Sequence, residues 1–409
     1  MIPSFEQYGL AAVQQAIDTV AANGGGRVEI PVGRHKTAGI ELGNNVELHL
    51  APGAILDFSD DPKDYPIIWT RWEGYEQNSY RPLIYAKGKN NVSVTGMGIL
   101  EGNGQRWWDS FRAKTLRAAC PCFICFEQCD NIRLSDFRIM NSPAWTLHPL
   151  MSQNVLISGV SIKNPYNSPN TDGIDPESCQ NVRILGCSID VGDDCIAIKA
   201  GTEDGEQQIP CENITITGCT MLHGHGGVVL GSEMSGGIRR VTVTGCVFDG
   251  TDRGIRIKTR RKRYGAVEEL TVSGIVMHDV SCPVVVNMMY YCGKDGKAPY
   301  VADPNPLPVE DSTPVIRHIQ LSNIQVSKAR SAAVCLYGLP ESPIEDIRLN
   351  NMRIEMVEGE KEIPVMNARS FPMSRAGIYA ENVRGLDLNG LVLSGVEGEE
   401  RQFVNVTEI

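Results

Sequence analysis

No stretch of the 409-residue sequence approaches the ~18 consecutive apolar residues of a membrane-spanning helix, so no such helix is expected. The opening Met1-Ile2-Pro3-Ser4-Phe5-Glu6 has neither a basic region nor an apolar core, so no export leader is read there. Positive charge is scarce: 38 Lys and Arg against 49 Asp and Glu leave a net charge of −11. That balance makes a poor general binder of nucleic acid or of an anionic membrane, and a polyanionic ligand would need the cations gathered in one place. The 13 cysteines are odd in number and show no disulfide framework. Without a leader they read as reduced thiols of a cytoplasmic protein, or of a secreted one if a leader has been trimmed away. What is present is ordinary for a soluble chain, 42% hydrophobic and 21% charged, with 41 glycines that point to many turns.

A chain of this length would by default hold two or three domains, but repeats escape that expectation because each packs only on its neighbours. Ten segments share one pattern: a polar pair, often ending in Asn, then apolar, any, apolar, any, Gly or Asn. Examples are NNVSVTG from Asn90, QNVLISG from Gln153, QNVRILG from Gln180, ENITITG from Glu212 and RRVTVTG from Arg239. The first apolar anchors are Val92, Ile132, Val155, Val182, Ile214, Val241, Leu270, Ile319, Ile347 and Leu386. Their alternation buries one face of a short strand, and units this small bury a core only by stacking. A leucine-rich repeat is set aside for want of its Leu spacing and amide ladder, and a propeller for want of about four strands per blade. The expectation is an all-β parallel β-helix of about ten coils, one domain over residues 1–409, with 1–30 as its N-terminal cap region. The cap is a helix over Leu10 to Ala22, with Leu10, Val13, Ile17 and Val20 on one side and Gly24-Gly25-Gly26 as its stop. Residues 57–82, rich in Trp and Tyr, read as a long loop over one side.

Chemistry-bearing residues fall at similar offsets in successive coils: Asn170-Thr171-Asp172, Gly192-Asp193-Asp194, Gly224-His225-Gly226, Arg256-Ile257-Lys258 and Tyr290-Tyr291. Stacking places them on one face as a stripe of acids, imidazole, cations and phenol. Singly, Asx-Gly and Gly-Asp pairs are common turn formers. Three carboxylates on neighbouring rungs repel each other, however, and together with two cations they point to a site rather than to turns. Trp145 and His148 fall on the same stripe, as subsite or as packing. Cys120, Cys122, Cys125 and Cys129 lie in an apolar run and read as buried strand thiols rather than a metal cluster. Cys187, Cys219 and Cys246 read as a stacked interior row.

These motifs, in this order, resemble those of the polygalacturonases, glycoside hydrolase family 28, over nearly the whole chain. The resemblance implies a single-stranded, right-handed, pectin-lyase-like β-helix and inverting hydrolysis of α-1,4-galacturonide bonds of a pectic substrate, with no metal and no cofactor. It implies Asp193 as general acid, with Asp172 and Asp194 holding and activating water across a gap of ~6.5–9.5 Å. His225 is expected to hydrogen-bond near the acid. Asn170 is counted with the substrate-binding set. Arg256 and Lys258 share one strand face and suit a sugar carboxylate, Arg bidentately and Lys as a point charge. Tyr291 matches the family tyrosine that precedes a cysteine, with Tyr290 its rival. Arg260 is expected to reach a further substrate carboxylate, and Arg261 to Arg263 to form a solvated turn. The insertion at 57–82 and the Trp107-Trp108 pair resemble bacterial exo-acting members and suggest a closed cleft. Rivals are a rhamnogalacturonan hydrolase, a Ca²⁺-dependent pectate-lyase-like enzyme and a carbohydrate-binding β-helix without turnover.

Overall fold

The computed structural model of the chain describes residues 9–409, so the opening segment read for an export leader lies outside the described residues. The chain divides into two compact units, Met1–Asp193 and Asp194–Ile409. In each, short strands stack in parallel as the repeats require.

In the first unit the anchors pair directly, Val92 with Ile132, Ile132 with Val155 and Val155 with Val182. Two coils precede these: Val46–Leu50 pairs with Asn90–Gly96 on one side and Gly26–Ile30 on the other. In the second unit Ile214, Val241, Leu270, Ile319, Ile347 and Leu386 form the corresponding row. A further strand, Arg401–Glu408, pairs onto Ala376–Asp387. The anchors are buried, each contributing roughly 1.5–3 kcal/mol of transfer free energy.

The polar residue before each anchor has a backbone reason. Asn91, Asn131, Asn154 and Asn181 all have φ between 55° and 58°, and Asn213, Arg240, Glu269, His318, Asp346 and Gly385 occupy the same position at positive φ. Asn tolerates the left-handed region better than other residues with a Cβ. Its amide also links coils: Asn91 Nδ2 donates to Asn45 Oδ1 at 2.7 Å, Asn131 to Asn91 at 2.7 Å and Asn181 to Asn154 at 3.2 Å. These exposed amide links run along the turn and are not the interior ladder of a leucine-rich repeat.

The cap helix spans Ala12–Ala22 and buries Ala12, Val13 and Ile17. Leu10 lies before it and is exposed, so it is not on the packed side. The helix stops where the Gly24 and Gly25 amides return to the carbonyls of Ala21 and Val20. Residues 57–82 are not a loop throughout. Ile67–Trp72 and Tyr75–Tyr80 form an antiparallel hairpin, turned at Glu73 and Gly74, whose φ values of 52° and 85° suit a two-residue hairpin turn. Trp107 and Trp108 lie on the helix Gln105–Arg112 and are buried. Tyr65 and Tyr80 meet Trp107 edge-on at 5.5 and 5.2 Å. These tryptophans are core and line no cleft.

The thiols of Cys120, Cys122, Cys125 and Cys129 are buried, as expected, and burial pushes Cys120 up to about 12. Cys219 and Cys246 follow glycine in adjacent paired coils and are buried in the second unit, and Cys187 is buried in the first.

Candidate functional site

In the first unit, Asp172 is held by its backbone. Its carbonyl accepts from Thr146 N–H at 2.9 Å, and Gly173 and Asp175 bond on either side of Leu147. Thr171 and Ser168 close the preceding turn, hydroxyl to hydroxyl at 2.6 Å, and Asn170 takes the left-handed conformation at φ 51°. Gly192 acts by close approach: a Cβ there would lie 2.5 Å from the Ser168 carbonyl oxygen. The chain that leads to Asp193 can therefore pack against the loop that leads to Asp172. Asp172 is buried and Asp193 half-buried, and carboxylate oxygens of the two lie within 4.8 Å of one another.

Asn170 lines a cavity of about 250 Å³ with Trp72, Phe111, Lys114, Leu116, Pro143 and others. Trp72, at the hairpin's turn, packs against Trp145 with ring centroids 4.6 Å apart and the planes tilted by 32°. His148 lies beneath, 1% exposed, its Nε2 2.9 Å from Glu177 and its Nδ1 3.6 Å from the Cys122 sulfur. Glu177 in turn lies 3.7 Å from Arg71 of the hairpin. His148 is thus packing, a buried polar tie beneath the aromatic pair, and not a subsite wall. Neither Arg71 nor Glu177 stood out in the sequence, since each gains its role only by meeting the other.

The second unit opens with Asp194, 1% exposed. Lys258 Nζ donates to its Oδ2 at 2.6 Å and Arg256 Nη1 to its Oδ1 at 3.2 Å. Arg256 and Lys258 alternate on the strand Arg253–Lys258, which confirms their shared face. A rung separates them from Asp194, and Gly226 occupies it. A Cβ at Gly226 would lie 2.4 Å from Val229 Cγ2 and 3.1 Å from Asp194 Oδ1, so glycine is what lets the ion pair close across the rung. Burial alone would raise the Asp194 pKa, but the charges of Lys258 and Arg256, with Lys199 behind them, outweigh it and hold the carboxyl well below the usual range. Lys258 is likewise raised: burial would lower it and Asp194 reverses that. Lys199 pairs with Glu233 at 3.3 Å, which holds Glu233 down at about 2 against its own burial. His225 is exposed in the turn before Gly226.

Of the two tyrosines, it is Tyr290 that meets the cations. Arg256 and Lys258 lie 5.4 and 5.3 Å from its ring centre, and Arg256 Nη2 approaches its hydroxyl at 3.4 Å. Tyr291 instead faces Lys297 at 5.9 Å; both tyrosines lie past the end of the strand Cys282–Asn287, so strand alternation does not decide between them. Arg260 is not available to substrate. It is buried, pairs with Glu203, and donates to the carbonyls of Cys292 and Arg261 at 3.0 and 2.9 Å. Arg261 and Arg263 are buried too, the first bidentate on Glu341 at 2.6 and 2.8 Å, the second on Glu203. Within the expected solvated turn only Lys262 and the neighbouring Tyr264 are exposed.

A sequence model of the family Glycosyl hydrolases family 28 matches residues 69–374. A probable polygalacturonase of Vitis vinifera is 32% identical over 86% of this chain and 72% of its own length. The chain spans 58% and 63% of the polygalacturonases of Persea americana and of Arabidopsis thaliana (QRT2). Among solved structures, a hyperthermoactive exopolygalacturonase from Thermotoga maritima superposes with a TM-score of 0.74 at 30% identity, covering 89% of each chain. A family 28 exopolygalacturonase of Yersinia enterocolitica gives 0.80 at 21% identity, over 97% of this chain and 74% of that one. The right-handed parallel β-helix is the fold they share with this chain.

Proposed function

This chain belongs to the glycosyl hydrolases family 28, and from that we propose that it hydrolyses α-1,4-galacturonide bonds of galacturonan, releasing galacturonate from chain ends. The observation that carries the reading is the clamp of Lys258 and Arg256 on buried Asp194. It favours the ionised form of one carboxylate and sets two cations beside it for the acid group that every galacturonate carries. Asp194 then suits the task of drawing a proton from water and not that of giving one. Asp193, half-buried and next in the chain, is the general acid. It gives its proton to the glycosidic oxygen as the C1–O bond breaks. The water attacks C1 from the opposite face, losing its proton to Asp194 or Asp172. His225, in the exposed turn before Gly226, lends a hydrogen bond near the acid.

The exo assignment is supported by the hairpin that brings Trp72 over the cavity beside Asn170, and by the 30% identity to an exo-acting enzyme. The buried Trp107-Trp108 pair lends it nothing.

The test is incubation with digalacturonate and trigalacturonate in the presence of chelator, following products by mass, ultraviolet absorbance and proton NMR. Saturated galacturonate monomer, first appearing as the β-anomer, is the expected result. First release of the α-anomer overturns inversion. An unsaturated product that needs Ca²⁺ overturns hydrolysis, and activity confined to rhamnogalacturonan fragments overturns the substrate.

A further inference from the structure

The strand Ile344–Met356 and the strand Ala376–Asp387 are joined by a segment that returns to the cationic pair. It is pinched by mutual backbone hydrogen bonds between Glu362 and Met373, at 2.9 and 2.8 Å. Arg253 holds the carbonyls of Ile363 and Pro364 at 2.9 and 3.0 Å. Val365 is buried in a cluster with Cys282, Val285 and Tyr337. Asn287 and the Tyr291 amide both donate to the Met366 carbonyl, at 3.2 and 3.3 Å. Anchored on both sides, the segment delivers one side chain to the site: the Met366 sulfur lies 3.8 Å from Arg256 Nη2 and 3.7 Å from the Tyr290 hydroxyl. Met366 is nevertheless 45% exposed, and among the described residues only Met97, at 70%, is a more exposed methionine.

A thioether is a weak acceptor, so it shields these two donors without occupying them. We propose that Met366 is an oxidation site through which a peroxide controls substrate binding. The sulfur gives an electron pair to one peroxide oxygen. An S–O bond forms, the O–O bond breaks, and the departing hydroxide takes the remaining proton and leaves as water. The sulfide is oxidised to a sulfoxide and the peroxide is reduced. The new oxygen forms on a sulfur lone pair, and in one sulfoxide epimer that is the lone pair at which Arg256 Nη2 and the Tyr290 hydroxyl already point. A strong acceptor then holds the donors that a galacturonate carboxylate would use. Because the anchors at Arg253, Asn287 and Val365 do not involve the sulfur, the segment stays in place and the acceptor with it.

The inference rests on the reading that Arg256 binds the substrate carboxylate. The wild type, Met366→Leu and Met97→Leu are treated with hydrogen peroxide and then with dithiothreitol, which reverses reversible thiol oxidation but not sulfoxide formation. Sulfoxides are mapped by peptide mass, and each protein is compared with its own untreated sample on trigalacturonate. The expected result is a sulfoxide at residue 366 and a KM about tenfold higher with kcat within about twofold, as loss of a binding contact dictates. Methionine sulfoxide reductase should reverse it, Met97→Leu should behave as wild type, and Met366→Leu should not respond. Residue 366 resisting oxidation, a sulfoxide there without a change in KM, or an equal response in Met366→Leu each overturns the inference. Untreated protein that releases no galacturonate sinks the reading beneath it instead, and the inference with it.

Discussion

The run from Arg253 to Arg263 holds seven basic residues, and the structure sends them to two different ends. Arg256 and Lys258 share a single carboxylate, Asp194, so two positive charges face one negative and a surplus remains toward a ligand. Arg260 and Arg263 share Glu203, and each also spends its remaining donors on carbonyls or sulfur: Cys292 O and Arg261 O for the first, Ser232 O and the Cys292 sulfur for the second. Arg261 is consumed by Glu341, Tyr300 O, Asp303 O and Asn305 O. All five are buried. What distinguishes the two groups is therefore not exposure but partners: the three later arginines are held by carboxylates together with backbone carbonyls, while Arg256 and Lys258 share one carboxylate beside the Tyr290 ring.

The comparison breaks most visibly at Arg261. Replacing it with Met leaves Glu341 buried without its bidentate partner, which should lower the unfolding free energy by about 3–5 kcal/mol in urea titrations. Activity per folded molecule should hold. A normal unfolding midpoint with lost activity would place Arg261 in the site and undo the division. Arg256→Leu should do the reverse: Lys258 still neutralises Asp194, so the fold survives, but one charge-assisted contact to substrate goes. Loss of about 2.7 kcal/mol, or 100-fold, in kcat/KM is expected from steady-state kinetics on trigalacturonate.

Lys258→Met sharpens the same contrast through pH. The Asp194 carboxyl is depressed in the folded chain, so its ion pairs stabilise the fold above the ordinary Asp pKa, and that stabilisation is lost as pH falls through the lower folded value. Removing Lys258 takes away the leading cation, so the folded pKa must rise. The acid limb of the kcat/KM profile should then move to higher pH if Asp194 serves as base, and stay where it was if Asp194 only anchors the cations.

The repeat was legible because two signals coincide at each coil: period-two burial, and a residue that tolerates positive φ just before the anchor, from Asn91 to Gly385. The pairing of Arg256 with Lys258 was legible for the same reason, two residues apart on one strand. Partners far along the chain were not. Glu203 and Glu341 lie 57 and 80 residues from the arginines they hold, and Met366 lies 110 from Arg256. Nothing in the run itself says which arginines will be consumed. Choosing between Tyr290 and Tyr291 required the path of the loop that follows the strand Cys282–Asn287, which period-two patterning does not describe. The hairpin at Ile67–Tyr80 was hidden because its antiparallel pairing departs from the parallel repeat around it. Its turn pair, Glu73-Gly74, is a weaker sign than Asn-Gly or Asp-Gly.

Lys262 gives the finest test, since it is the exposed cation between two buried ones. Its ammonium lies 4.7 Å from the Tyr300 ring centre, a contact worth about 0.5–1 kcal/mol at an exposed site. Its backbone sits at φ 65°, where a residue with a Cβ is strained by about 1–2 kcal/mol. Lys262→Ala loses the ring contact and keeps the strain, so it should cost under about 1 kcal/mol. Lys262→Gly loses the contact but relieves the strain, and should be more stable than the alanine variant by about 1 kcal/mol in the same urea titration. Neither should change kcat/KM. If alanine proves as stable as glycine, the turn is not strained in solution. If either variant loses activity, the surplus charge that binds substrate extends past Lys258, and the boundary between binding and structural cations must be redrawn one turn further along the chain.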